Sequence, residues 1–311
     1  MRCVKLSIIL TGLLIFEFVS VNGNVRAQDL DTTVGSEHDR MERASRSEFE
    51  RILRGSWGPL VEIGGAYLGN YLFFWQYADR VPFHVSKDPP YAMHVDKAAH
   101  FYASNKGADD IRKIYQHAGV GPATAVWLGA SLSLVAGTVV ELFDAIHDHD
   151  PTYGFSFGDL GMDFLGCSLP VLQYYDPGLK RITAKISVWP SSALAAYKPP
   201  VITQLVQDYE SQYYWLSFDI HDWMGDWYPK WLNLAVGMSA ENLIPAQNLP
   251  GRAGLTPYTD VYIATDLNLR GFDIHGAFWN FICDVFDYIH IPFPAFQFYL
   301  EENLRSGNLF S

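Results

Sequence analysis

Polar and apolar positions divide the chain into two regimes. Residues 28–56 are polar and mixed in charge; the first part reads as linker, and the part from Asp39 to Arg54 fits a solvated helix. Four apolar segments of helical character follow, at 63–78, 95–117, 119–140 and 160–175. The first is uncharged, glycine-rich at its start and aromatic at its end. The third carries no charge before Glu141, and places Gly129, Ser133 and Gly137 four residues apart on one face. Small side chains at that spacing let another helix approach closely, in a membrane or in a tight soluble bundle. This is also the one segment that reaches the roughly 20 residues a membrane span needs. Pro170 predicts a kink in the fourth segment.

From about residue 180 the period shortens. RITAKISVW, YYWLSFDI, WLNLAVGMSA and DVYIATDLNL are short, rich in β-branched and aromatic residues, partly alternating, and separated by Pro, Gly and Asp. Those features predict strands. Residues 278–289 predict one more amphipathic helix, ended by Pro292 and Pro294. The expected fold class is α+β: a bundle of about four apolar helices over 57–178, then an antiparallel sheet with one further helix over 179–311. The boundary falls at DPGLK, and no solenoid repeat is visible.

The first 27 residues read as an address. Arg2 and Lys5 precede an apolar stretch too short for a membrane span, and Val25-Arg26-Ala27 forms a cleavage site. An uncleaved anchor helix is the alternative. Cys3 lies before the apolar stretch, so it is not the lipidated cysteine of a lipoprotein leader. The expected location is therefore the periplasm or a cell-envelope membrane, with Cys167 and Cys283 remaining in the mature chain and free to pair after export. A composition that is 49% hydrophobic and 18% charged suits a large core. A formal charge of -12 without a basic block argues against nucleic acid. Aromatics at 15% suit a membrane or another envelope component as partner, a sugar-facing surface, or a large core.

Candidate chemistry lies in polar residues set into apolar helices. Asp96, Lys97 and His100 (DKAAH) fall within about one turn. Glu141 and Asp144 (ELFD) stand three apart at the end of the most apolar helix, and Asp159 and Asp163 (DLGMD) stand four apart on the next. A buried carboxylate must be paired, protonated or metal-bound. Three readings follow. His100, Glu141, Asp144 and Asp163 can ligate a divalent cation. His100, Glu141, Asp144, Asp159 and Asp163 can perform acid–base chemistry, with like charges raising one carboxyl pKa. Or Lys97 and His100 neutralise the carboxylates in a structural clasp. Whether the protein is an enzyme stays open at this point.

Other motifs carry less. Gly154-Phe155-Ser156-Phe157-Gly158 matches the G-x-S-x-G nucleophile elbow, but a turn precedes it where a strand is required. Ser156 with Asp159 is a capping signature, which is the preferred reading. His147-Asp148-His149-Asp150 reads as a solvated acidic turn before it reads as a metal site, and His221 and Asp222 as part of an aromatic loop packed on the sheet. The chain contains no P-loop, complete dinucleotide fingerprint, HExxH or EF-hand pattern, so no nucleotide cofactor is expected.

DKAAH, ELFD and GFSFGD together resemble the YfiM-like family of exported periplasmic lipoproteins, domain of unknown function 2279. YYWLSFDIHDWM, YPKWLNLAVGMSAEN, YIATDLNL and IHIPFPAFQF extend the resemblance over about 58–299. It implies Asp96, Lys97, His100, Glu141, Asp144, Gly154, Phe155, Ser156, Asp159 and Gly166 as the shared polar and turn positions. Asp163 stands where that pattern usually has Asn, which adds a negative charge. The chain also departs from it in lacking a lipobox. A fainter similarity, in the DKxxH helix alone, is to VanZ-like membrane proteins. The resemblance implies no substrate.

Overall fold

The computed structural model describes residues 37–73, 75–86, 91–148, 154–189, 208–243, 256–291 and 295–300. The expected leader at 1–27, the linker up to residue 36, and His149, Asp150, Pro292 and Pro294 lie outside the described residues. The chain forms two compact units. One comprises Met1–Ser86, Ala103–Ser156 and Asp163–Pro177, the other Lys87–Tyr102, Phe157–Met162 and Gly178–Ser311.

The helices are α1 (Glu37–Gly55), α2 (Trp57–Phe73), α3 (Val95–His117), α4 (Pro122–Asp144) and α5 (Phe157–Tyr175). The short pair β1 (Asp79–Arg80) and β2 (His147–Asp148) is antiparallel. The structure thus has α+β organisation, with helices in the N-terminal half and an antiparallel sheet in the C-terminal half. α2 begins six residues before the expected start, because Pro59 is tolerated in a first turn, where its missing N–H has no helical partner. α4 begins later than expected, since Gly119 takes a φ of 83° just beyond α3 and Pro122 opens the new helix. α5 continues through Pro170 to Tyr175.

In the first unit the small-residue stripe of α4 does what its spacing predicts. A Cβ on Gly129 would collide with the Ala108 carbonyl of α3, and one on Gly137 with the Asp163 carboxylate of α5. Between them the Ser133 hydroxyl donates to the Ser104 carbonyl at 3.0 Å. Ala108, Val126, Ala130, Cys167 and Val171 close the core around this contact. A second cluster joins Ile111, Tyr115, Val120 and Ala125. Meanwhile Leu60, Val61 and Leu68 of α2, Trp127 and Val135 of α4, and Phe164, Leu165 and Leu172 of α5 are exposed. Among the described residues α4 is the one helix long and apolar enough to cross a membrane.

The second unit is a five-stranded antiparallel meander, β3 (Ile182–Val188), β4 (Gln212–Phe218), β5 (Leu232–Glu241), β6 (Tyr258–Leu267) and β7 (Ala295–Leu300). Between β4 and β5 lies the short α6 (His221–Met224), and before β7 lies α7 (Ala277–Phe286). Along the free edge of β3 the Ile186 amide donates to the Tyr288 carbonyl at 2.9 Å, and the His290 amide to the Ile186 carbonyl at 2.9 Å. β7, on the opposite edge, starts at Ala295. Five residues span at most about 17 Å, so the two edges lie close and the sheet is curled.

Register places Lys185, Trp215, Gly237, Tyr262 and Gln297 in one cross-strand row on the concave face, with Thr183, Ser217, Ala235, Ala264 and Ala295 in the next. Only glycine fits at 237, because the Trp215 ring lies where a Cβ would be. The other face is apolar. Its Ile186, Tyr214 and Met238 end packs against Met93, Val95, Ala98, Ala99 and Tyr102. Ala92, Met93 and His94 reach α3 through three successive left-handed residues, with φ of 47°, 52° and 67°. That backbone costs roughly 1–2 kcal/mol per residue. Burial of Ala92 and Met93, and a hydrogen bond from the Thr259 hydroxyl to the Met93 carbonyl at 3.2 Å, offset it.

Candidate functional site

α3 opens with Val95-Asp96-Lys97, so the buried Val95 anchors the helix start and turns the two charged residues toward the first turn of α5. The Lys97 ammonium donates to Asp159 Oδ1 at 2.8 Å and to Asp96 Oδ2 at 3.3 Å. Both aspartates sit in first turns, where the positive end of a helix favours a carboxylate. Burial pushes the Asp96 carboxyl above its usual range; Lys97 pulls it back and Asp159 pushes it up again. Asp96 Oδ1 is buried with no hydrogen-bond partner among the described residues. His100, one turn further along α3, and Asp159 each offer a ligand atom within 4.8 Å of the other.

The remaining candidates stand in the first unit, each held by a specific donor. Glu141 is 2% exposed, and its Oε2 accepts the Ser156 backbone N–H at 2.9 Å. Asp163 is 1% exposed, and its Oδ1 accepts the Ser104 hydroxyl at 2.6 Å. Asp144 Oδ1 accepts the Trp75 indole N–H at 2.6 Å. The Trp75 ring stacks on Phe143 at 4.5 Å and lies 6.2 Å from His147. The structure therefore gathers Asp96, Lys97, His100 and Asp159 in one unit, and Glu141, Asp144 and Asp163 in the other.

Several expectations need correction or refinement. His147 is buried and stacked, and residues 147–148 form β2 against β1 through the backbone, so this half of the HDHD tract is strand and not turn. Ser156 stands immediately before α5, in the N-cap position; it is 4% exposed, and the elbow's strand is reduced to a single Val85–Phe155 bridge. His221 and Asp222 open α6, where Asp222 meets Arg181 at 2.6 Å; Trp223 and Trp227 project outward rather than packing on the sheet. Cys167 and Cys283 are buried free thiols, and burial pushes Cys167 up to about 11.

A second polar centre on the concave face of the sheet was not foreseen. Asp266 is wholly buried. Its Oδ2 meets the Lys185 ammonium at 2.7 Å and the Ser217 hydroxyl at 2.6 Å, and its Oδ1 meets His290 Nδ1 at 3.0 Å. Lys185 also donates to the Leu267 carbonyl at 2.9 Å, Asn233 donates to Ser217 at 3.1 Å, and the His290 ring stacks on Trp215 at 3.9 Å. Burial alone would raise the Asp266 carboxyl; His290, Lys185 and Ser217 together bring it below its usual range. The sequence signal was a lysine and an aspartate at inward positions of alternating strands.

Fold and site define an α+β protein whose charged groups are held inside apolar elements. Residues 87–175, which include DKAAH, ELFD and GFSFGD, match the family model of domain of unknown function 2279, described as a predicted periplasmic lipoprotein. The matched span is shorter than the motifs led one to expect. That description agrees with an exported location in the periplasm or cell envelope. No curated protein and no solved structure matches the chain.

Proposed function

We propose that this is an exported, membrane-associated envelope protein in which the polar cluster at the start of α3 acts as a structural clasp. The observation that carries the clasp is the Lys97 ammonium set between Asp96 and Asp159 at 3.3 and 2.8 Å. It ties the first turn of α3 to the first turn of α5. Membrane association draws on α4, with its exposed Trp127 and Val135, and on the exposed apolar side chains of α2 and α5. Under this reading Lys97→Met accelerates amide exchange at residues 157–162, while Asp163→Asn is tolerated. Unchanged exchange in Lys97→Met would remove the clasp. Carbonate extraction of envelopes tests the membrane association.

A second reading is favoured by the closeness of His100 and Asp159. A divalent cation held there would make the protein a metal-assisted hydrolase of an envelope lipid or glycan. His100 would serve as ligand or base, with Asp159 beside it as a further acid or ligand. Elemental analysis separates the two. The hydrolase requires a stoichiometric metal that is lost in His100→Ala with the fold intact; the clasp requires none.

A further inference from the structure

The curled sheet carries apolar side chains on both faces. Its concave face sets Lys185, Asp266, Ser217 and Asn233 among Trp215, Ala235, Tyr262 and Ala264, whereas hydrocarbon dominates the convex face. One end of that convex face is covered, as described. The other end is open. There the register lines up Leu216, Val236, Ile263 and Phe296 in one cross-strand row, and Ile182, Phe218 and Leu234 in the next. Leu216, Val236, Ile263 and Phe296 are all exposed, Phe296 at 75%. Neither row contains a charged residue, on a chain of net charge -12.

The border of this patch selects its partner. β4 leaves it at Phe218 and β5 returns at Leu232, and the connection carries Trp223 and Trp227, each 71% exposed, with Trp231 beside the strand. The charges come with these rings: Arg181 lies 5.7 Å over the Trp223 ring and pairs with Asp222, and Asp226 and Lys230 are exposed in the same connection. Along the strands the surface therefore runs from aliphatic to aromatic to charged. That is the depth profile of one bilayer leaflet, with aromatic rings at the headgroup level. A protein interface would be expected to place its tryptophans at the centre of the patch and polar groups around them.

We infer that the open end of the convex sheet face, centred on Val236 and Ile263, is a lipid-contact surface that takes zwitterionic phospholipid. This rests on the membrane-associated reading above and assigns it a particular surface. The acyl chains cover the two uncharged rows, and the Trp223 and Trp227 rings lie at the headgroups. The net negative charge makes anionic lipid the poorer partner.

The test uses the full chain carrying Cys3→Ser, with phosphatidylcholine vesicles and a nitroxide on Val236→Cys, compared with one on Asp226→Cys. Cys167 and Cys283 are buried and compete little for label. On binding, the label at 236 should lose collisions with a water-soluble nickel chelate by about tenfold and gain them with oxygen, while the label at 226 stays open to the chelate. If the protein floats with the vesicles but 236 stays open to the chelate, this inference falls and the membrane-associated reading stands. If it neither floats nor shields 236, both fall. Shielding of 236 without vesicles, at doubled mass, would give the face to a second copy and overturn the inference.

Discussion

Lys97 and Lys185 each meet a buried aspartate, yet the two centres shift their carboxylates in opposite directions. In the sheet, one carboxylate takes two hydrogen bonds, from Lys185 at 2.7 Å and Ser217 at 2.6 Å, and stands 3.0 Å from the His290 ring nitrogen. The Asp266 pKa falls despite complete burial. At the start of α3 one ammonium is shared by two carboxylates, and the Asp96 pKa rises. Burial acts the same way in both places; the ratio of donors to acceptors decides the sign. The sheet centre sets one buried carboxylate against one buried ammonium, which suits a structural part. The helical centre keeps surplus negative charge beside His100, and a proton or a cation would be drawn there. That asymmetry explains why the second reading of function attaches to α3 and not to the sheet.

The sharpest way to break the comparison is Asp266→Ala. It leaves Lys185 charged and buried without its partner, and the expected loss is about 3–5 kcal/mol in chemical denaturation followed by tryptophan fluorescence. A loss below about 1 kcal/mol would mean that the network is better hydrated than its burial implies. Lys97→Met comes next. It removes the ammonium between Asp96 and Asp159, but both lie nearer water than Asp266, so about 2–3 kcal/mol is expected. If the two substitutions cost the same, the contrast in donor count carries no energetic weight.

The helical centre was legible in the sequence and the sheet centre was not, for a physical reason. A charged residue inside an apolar helix stands out against every neighbour, so Asp96, His100, Glu141 and Asp159 could be picked out one by one. α3 was bounded at Val95–His117 as found, and the four expected strands lie within two residues of those observed. β7 was not assigned, because Pro292 and Pro294 separate it from the helix before it. In strands, alternation says that two faces differ but not which one is buried. Lys185 on β3 and Asp266 on β6 stand three strands apart in the sheet order, and only the curl of the sheet brings their side chains to 2.7 Å. Likewise no spacing rule links Glu141 to the backbone of Ser156, since the donor is an amide and carries no sequence mark.

The smallest expected effect is the most discriminating, because its sign differs between the centres. Asp96 has a folded pKa above its unfolded value, so the native state keeps a proton that the unfolded chain releases. Its cost to stability is absent at acid pH and grows as pH rises from the ordinary carboxylate range through the folded value. Asp96→Asn removes that cost and should raise stability at pH 7, with little change at pH 4. Asp266 is the reverse case. Its contribution is present above the unfolded pKa and is lost as pH falls through the lowered folded value, so Asp266→Asn destabilises at pH 7. Denaturation midpoints of both variants at pH 4 and pH 7 decide the matter. Should Asp96→Asn destabilise at pH 7, Asp96 is bound there as an anion by something stronger than half of one lysine, and a cation beside His100 becomes the better account of the cluster.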